Sequence, residues 1–567
     1  MSLTGSLQIG RSGLLASQRA LEVTGNNLAN VATRGYHRQE VSLTPGLTQR
    51  VGPGVFVGRG VQIDSIVRRV NEALEDRLRG GVAQEHGFIA RQEVLKEIES
   101  IQNELSDTDL SSSLSAFFNA WSDLANSPQD NAARSLLVQE AQTLASQVRD
   151  QRSELTRLQS ELDDRIGQAA SAADALLSQL EQLNQQITLA EGGSPGGAHG
   201  LRDERGAIVE ELSQYLDVSV VEQPNGAFDV YVGSIPIVLN GRSRGVEVRS
   251  QTVDGEKRTD LVLRDDGSLL DTQAGRLGAL VAGREGDVSD ALDALDGLAR
   301  SLIFEVNRLH SQGQGLKGYA ELTSTYRVDD ATLALNDPDA GLAFTPSHGG
   351  FDVHLTQVST GQRTTTRIPV DLDGIGADTS LNDLAAALSA VGNLSATVSA
   401  DGHLTLTTTG SDFELSFSDD SSGTLAALGL GAFFEGEDAT DLAVHQDVAS
   451  DLRRVAAGQG HVPGDNRNAV ALAGLRERQL DSLGGRSLTE LWNQHVSDFG
   501  IRLGQATAKA ASAAVVRENL EVQRQSYSGV NTDEEAVNLL THQRAYQASA
   551  RFLSVVDEML QTLLNLV

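Results

Sequence analysis

Leucine recurs every seventh residue at one end of this 567-residue chain (Leu7, Leu14, Leu21, Leu28), and a seam of the same period marks the other (Leu539, Tyr546, Leu553, Leu560, Val567). A seven-residue apolar repeat fixes a helix with one face that must be covered by another helix. Between the leucines fall Leu3, Gly10, Ser17, Thr24 and Val31; between the later set fall His542, Ser549, Val556 and Leu563. Small residues at the second position of the repeat predict close helix packing. The second helix has a legible start: Asn531 offers a capping side chain, and Asp533, Glu534 and Glu535 suit the positive end of a helix dipole. About 35 residues of helix would reach about 50 Å. The two ends therefore predict a pair with each other, forming a terminal coiled coil. Ile9, Leu15, Phe552 and Met559 lie off the seam and stay wet in a lone pair. Residues 1–30 and 535–567 are thus expected to order only when neighbouring copies cover that surface, because most helix stability comes from burying an apolar face.

Between these ends the pattern changes several times. Residues 64–190 read mainly as long helices, with a seam over Leu155, Leu158, Leu162, Ile166, Ala169, Ala173, Leu176, Leu180, Leu183 and Ile187. The glycine-rich stretch 192–200 breaks it. A short helix over Asp203–Leu216 leads into alternating β segments, with hairpin signals at Asn225-Gly226 and Asn240-Gly241. Helix returns at Ser289–Leu309 and Leu491–Gln525; residues 340–445 form a second β-rich block with a helical insert near Leu381–Val391. The fold class expected is α+β, multidomain and elongated: paired terminal helices, a long helical bundle and β-rich outer domains. The division expected is 1–35 with 530–567 as the coiled-coil core; 36–204 with 286–325 and 446–529 as a helical rod domain; 205–285 as a small β subdomain; and 326–445 as a β-rich outer domain.

Charge and chemistry exclude much. There are 45 basic and 77 acidic residues, a net of −32, yet residues 1–60 carry six arginines against two acids. So acidic a body repels nucleic acid and anionic membrane surfaces. No stretch approaches 18 apolar residues, so no membrane span is expected, and the N-terminus lacks the pattern of a cleaved signal peptide. With no cysteine, thiolate metal sites, disulfides and thiol nucleophiles are excluded. No HExxH, GxSxG or GxxxxGK[ST] pattern occurs. The glycines from Gly52 to Gly60 read as a punctuated β hairpin, since Val61 and Ile63 alternate like a strand rather than opening a helix. Asp371, Asp373 and Gly376 fit three positions of a calcium loop, but Asn382 stands where a bidentate Glu is needed, and a β turn is the better reading. No enzyme, cofactor or metal is expected.

Residues 20–38 resemble the N-terminal signature of bacterial flagellar rod, hook and hook-associated proteins: Asn27-Leu28-Ala29-Asn30 followed by Thr33, Gly35 and Tyr36. Asn30 and Gly35 suit a helix end and the turn beyond it. Further segments resemble the hook-associated protein 1 family, the hook–filament junction proteins, more specifically. They are Gly54–Val61, Ile66–Arg69 leading into Asn71–Leu78, Leu201–Arg205, Glu211–Ser213, the Asn307, His310, Gly313 triplet, Ser528–Asn531 and Gln543–Ala548. Residues 395–434 are similar, more loosely, to β modules inserted in flagellins and hook-associated proteins. The resemblance implies a structural adaptor that polymerises as the junction zone between hook and filament. Its terminal helices form the inner layer of a hollow tube of copies of itself; Leu7, Leu14, Leu21, Asn27, Leu28, Asn30, Gly35, Tyr36, Leu539, Tyr546, Leu553, Val556, Leu560 and Leu563 are the interface set. The partners implied are hook protein, the third hook-associated protein on the filament side and a cytoplasmic export chaperone on the C-terminal helix, without nucleic acid or membrane. The location implied is the extracellular flagellum, reached through the flagellar type III apparatus without a cleaved signal. Another axial protein, hook or distal rod, shares the Asn27–Tyr36 signature, but the long helices of 64–190 argue against both. Flagellin lacks the signature, and a secreted coiled-coil adhesin would not explain the end motifs. The acidic, turn-rich block 340–445 is expected to be dispensable for joining.

Overall fold

The computed structural model describes residues 3–52, 54–104, 109–192, 196–253, 256–460 and 462–565. Leu566 and Val567 of the terminal seam, and part of the glycine-rich stretch after Glu191, lie outside the described residues. The chain divides into two compact units, one of Met1–Val94, Glu161–Glu285 and Gly504–Val567, the other of Leu95–Ser160 and Gly286–Leu503. The boundaries fall inside the helices Glu72–Gln102, Asn131–Glu191 and Leu488–Ser528 and inside the π-helical turn Gly283–Val288, where no break in helical pattern could announce them.

In the first unit the N-terminal helix, Leu3–Ala29, packs along the C-terminal helix, Thr532–Leu564. Gln39–Pro45 pairs antiparallel with Val61–Arg68, and the hairpin of Gln49–Gly52 and Val55–Val57 lies between them. Strand pairing with Gln39–Pro45 is what makes 64–68 extended, so helix begins at Glu72 rather than 64. Leu74, Leu78 and Val82 pack on Leu520. The 61-residue helix Asn131–Glu191 belongs to the first unit from Glu161 onward and to the second before it, and all ten residues of its Leu155–Ile187 seam are buried. After helix His199–Leu212 comes a four-stranded antiparallel meander, Val218–Glu222, Phe228–Val232, Ile235–Leu239 and Arg242–Ser243, then the ribbon of Val246–Val253 and Glu256–Leu263. Asn240 and Gly241 both have positive φ (53° and 75°) in the two-residue turn their sequence signalled.

In the second unit two three-stranded sheets, ordered Glu321–Thr323, Leu404–Thr408, Leu394–Val398 and Arg363–Val370, Gly349–Gln357, Phe413–Ser418, share one core running from Tyr319 to Leu430. The helical insert is Leu381–Ser389, opened by a capping box between Ser380 and Asp383. Phe117, Phe118 and Trp121 of helix Leu110–Asn126 pack with Phe433 and Phe434. The Asn307, His310, Gly313 triplet closes this packing. Asn307 accepts from the Phe433 and Phe434 amides and donates to the Phe434 carbonyl, at 2.8–2.9 Å. His310 donates from Nδ1 to Gly431 O (2.8 Å) and accepts the Ala456 amide at Nε2 (3.0 Å), which requires a neutral ring. Gly313 faces Asn468 so closely that a Cβ would lie 2.1 Å from its Nδ2.

Candidate functional site

The site that the terminal segments build lies wholly in the first unit. Gly10 stands near Leu553, Gly13 near Ser549, and Asn27 near Glu535, so the two helices run antiparallel in one register. A Cβ on Gly10 would come within 2.8–2.9 Å of Leu553 and Phe552, so this approach needs glycine. The buried line of the first helix is Gly10, Ala16, Ser17, Ala20, Val23, Thr24 and Asn27. Small residues therefore form the contact, and the expected leucines flank it: Leu7, Leu14 and Leu21 are half-buried and Leu28 is exposed. On the C-terminal helix Val556 is buried, Leu539, Leu553 and Leu560 are half-buried, and Tyr546 and Leu563 are exposed. Leu15, Phe552 and Met559 are exposed as the off-seam argument requires, while Ile9 is half-buried. Both ends are helical in the single chain, where the sequence argument expected helix only on assembly.

Asn27 is 1% exposed and ties four segments together. Its Nδ2 donates to Gln39 O (2.9 Å) and Glu535 Oε2 (3.1 Å); its Oδ1 accepts from the Gln39 amide (3.0 Å) and the Tyr36 hydroxyl (2.8 Å). Burial, then Asp203 and Glu535, push the Tyr36 phenol up to about 12, so it stays a donor. Asn30 follows the helix and donates to Asn26 O at 2.9 Å, and Gly35 holds the turn with φ +76°. Arg38 spans to the other end of the chain, pairing with Glu534 (3.0 Å) and buried Glu535 (2.8 Å), while its amide donates to Ser528 O (2.9 Å). Asn531 caps the C-terminal helix by accepting from the Asp533 and Glu534 amides.

His37, Asp203, Glu75 and Arg524 extend this network, and sequence reasoning gave none of them a role. His37 Nδ1 lies 2.8 Å from Asp203 Oδ1, and Nε2 lies 3.6 Å from Glu75; Arg68 holds Asp203 at 2.7 Å. Burial opposes the charged ring, but the hydrogen bond to Asp203 and the nearby Glu75 carboxylate outweigh it and raise its pKa to about 9. Burial also opposes the Glu75 charge, yet His37, Arg524 and Arg79 hold its carboxyl below the usual range. A His directly before the Arg38 that reaches across the chain was the signal available. Its acids lie tens to hundreds of residues away. An open groove of about 740 Å³ beside the network is lined by Val31, Arg34, Tyr36, Arg69, Tyr527 and Val530 among others.

Elsewhere, Asp373 accepts the Ile375 amide at 2.8 Å and Gly376 has φ +94°, the geometry of a tight turn. His348, Asp371 and Asp373, all exposed, are the metal-competent side-chain set among the described residues. No helix among the described residues is long and apolar enough to cross a membrane.

Family comparisons fall on these same segments. Residues 7–37 match the flagella basal body rod protein model, residues 522–566 the C-terminal model of the flagellar basal body rod FlgEFG proteins, and residues 95–322 the helical domain of flagellar hook-associated protein FlgK. Flagellar hook-associated protein 1 of Escherichia coli K12 is 26% identical over 98% of both chains. Its namesake in Bacillus subtilis 168 is 25% identical, over 99% of this chain and 97% of its own. A solved flagellar hook junction protein FlgK from Burkholderia pseudomallei aligns over 80% of this chain and 100% of its own at 18% identity, with a TM-score of 0.49. The two ends and the inner helices thus define an axial structural protein of the bacterial flagellum. Within that class, the chain is similar over nearly its whole length to flagellar hook-associated protein 1, and its inner helices match the helical domain of that family.

Proposed function

We propose that the chain polymerises through its terminal helix pair as the junction zone between hook and filament. The observation that carries this reading is the antiparallel pair itself: its inner line is small and closely packed, while Leu15, Val537, Leu540, Phe552, Val555, Met559, Leu563 and Leu564 face solvent. So many exposed apolar residues on one helix pair mark a surface that another molecule covers. Neighbouring copies in a helical tube are the occupants proposed, with hook protein on one side and the third hook-associated protein on the other. Before assembly the same face is held by an export chaperone, and the chain leaves the cell through the flagellar type III apparatus. Its role is structural rather than catalytic. A strain lacking the gene, viewed by electron microscopy, should carry hooks without filaments and release flagellin into the medium. Normal filaments in that strain would refute the reading.

A further inference from the structure

His348 lies just before strand Gly349–Gln357, and Asp371 just after strand Arg363–Val370. These strands pair antiparallel with Gly349 opposite Val370, so the register brings His348 opposite Asp371 at the open end of the ladder. Leu372 is buried in the core of the second unit, while Asp371 and Asp373 on either side of it are exposed. Alternation about a buried residue turns both carboxylates outward on one face. His348 stands on that face. One donor atom from each of the three side chains lies within 4.8 Å of the others, and His348 Nδ1 is 3.1 Å from Asp371 Oδ1. The Leu372 amide donates to the same Nδ1 at 3.3 Å, so that nitrogen presents a lone pair rather than a proton. A lone pair and a carboxylate oxygen held this close repel each other unless a cation sits beside both. The loop that carries the acids is fixed in place: the Thr379 amide donates to Asp371 O (2.7 Å), Asp373 accepts the Ile375 amide (2.8 Å) and Asp378 accepts the Gly374 amide (3.0 Å).

We infer that His348, Asp371 and Asp373 bind a first-row divalent transition-metal ion, with water completing its coordination. Metal–donor bonds of about 2.0–2.2 Å put neighbouring donors about 3–3.4 Å apart, close to the separation that His348 and Asp371 already have. Two carboxylates and a neutral imidazole balance the double positive charge. An imidazole nitrogen selects zinc or nickel over calcium, which takes about six to eight oxygens. Asn382, where a calcium loop needs a bidentate Glu, instead sits in the first turn of helix Leu381–Ser389, its amide donating to Ala331 O at 3.2 Å. The sequence pattern around Asp371 and Asp373 therefore names the wrong ion, because the nitrogen ligand comes from a separate strand. Bound there, the ion ties loop 371–379 to the start of strand Gly349–Gln357. The site rests on no part of the proposed junction role.

The test titrates zinc chloride into the full-length chain, stripped beforehand with EDTA, in a calorimeter. His348→Ala and the double variant Asp371→Asn with Asp373→Asn are titrated alongside. Losing a residue that only supports a metal ligand weakens binding by about 10–100-fold, so losing a ligand should weaken zinc binding by at least about tenfold in each variant. All three side chains are exposed, so the metal-free melting temperatures of the variants should stay near that of the unaltered chain. Added zinc should raise the melting temperature of the unaltered chain and leave those of the variants in place. A chain that takes up no zinc would overturn the inference. Zinc binding undiminished in either variant would overturn it too, because the ion would lie elsewhere. Calcium chloride binding more tightly than zinc would overturn the role given to the imidazole.

Discussion

Two histidines serve opposite ends of the pH scale, and both roles follow from what their ring nitrogens touch. His37 is held charged: its pKa rises to about 9, so the stabilisation it gives is complete below about 6.5 and is lost as pH climbs through 9. His310 is held neutral because burial, only partly offset by the Gly431 carbonyl, lowers its pKa to about 4. Its contribution is complete above about 6.5 and fades as pH falls towards 4. Each shift corresponds to roughly 3 kcal/mol at most. Both tryptophans, Trp121 and Trp492, belong to the second unit, so tryptophan fluorescence should report weakening between pH 6.5 and 4. Amide protection factors over residues 27–40, corrected for intrinsic base-catalysed exchange, should fall between pH 7 and 9.5, and His37→Gln should remove that fall. Acid sensitivity at residues 27–40 matched by alkaline sensitivity at Trp121 would reverse the assignment. Neither environment was legible beforehand, because Asp203, Glu75, Gly431 and Ala456 are brought to these rings only by the tertiary fold.

Elements were legible to the extent that their periodicity decides their burial. The Leu155–Ile187 seam is buried throughout because three-and-four spacing on a helix leaves one stripe, and every residue of that stripe is covered. The terminal heptads were legible as a pair but not in their contact line. At Gly10 the Leu553 and Phe552 side chains fill the notch that the missing Cβ leaves, and at Gly13 Ser549 does the same, so the first helix contributes small residues there and its own leucines lie to the flanks. The clasp of Asn27 on Glu535 spans 508 residues, beyond any local pattern. Glycine substitutions within the same helix test this account. Gly25 has nothing within 4 Å of an added Cβ, so Gly25→Ala should stabilise by about 1 kcal/mol through helix propensity. Gly10→Val should destabilise by about 1–3 kcal/mol through overpacking against Leu553 and Phe552. Thermal melts of the two variants should move in opposite directions; a shared direction would mean that Gly10 is not a contact point.

For the whole molecule, the expected outer block proves less separable than its acidity suggested. Its core includes Tyr319 and Leu322, and Glu321–Thr323 pairs with Leu404–Thr408. Phe433 and Phe434 near its other end are fully buried against Phe117 and Trp121, and Asn307 binds their backbone. Removing 340–445 would strand these partners, so the truncated chain should lose the cooperative tryptophan-detected transition instead of merely losing decoration. A truncated chain that still melts cooperatively would restore the view of a detachable block. What composition could show was the change from helix to β character; where the cores close depends on pairings between residues 80 or more apart.

The central claim is that the solvent-facing row of the terminal pair builds the junction. Val555 and Met559 are each 53% exposed, so Val555→Asp with Met559→Asp should leave the isolated chain folded with a melting temperature near that of wild type. In cells lacking the native gene, electron microscopy of the strain carrying this double variant should show hooks without filaments, although the variant is exported. Full-length filaments on those hooks would contradict the account.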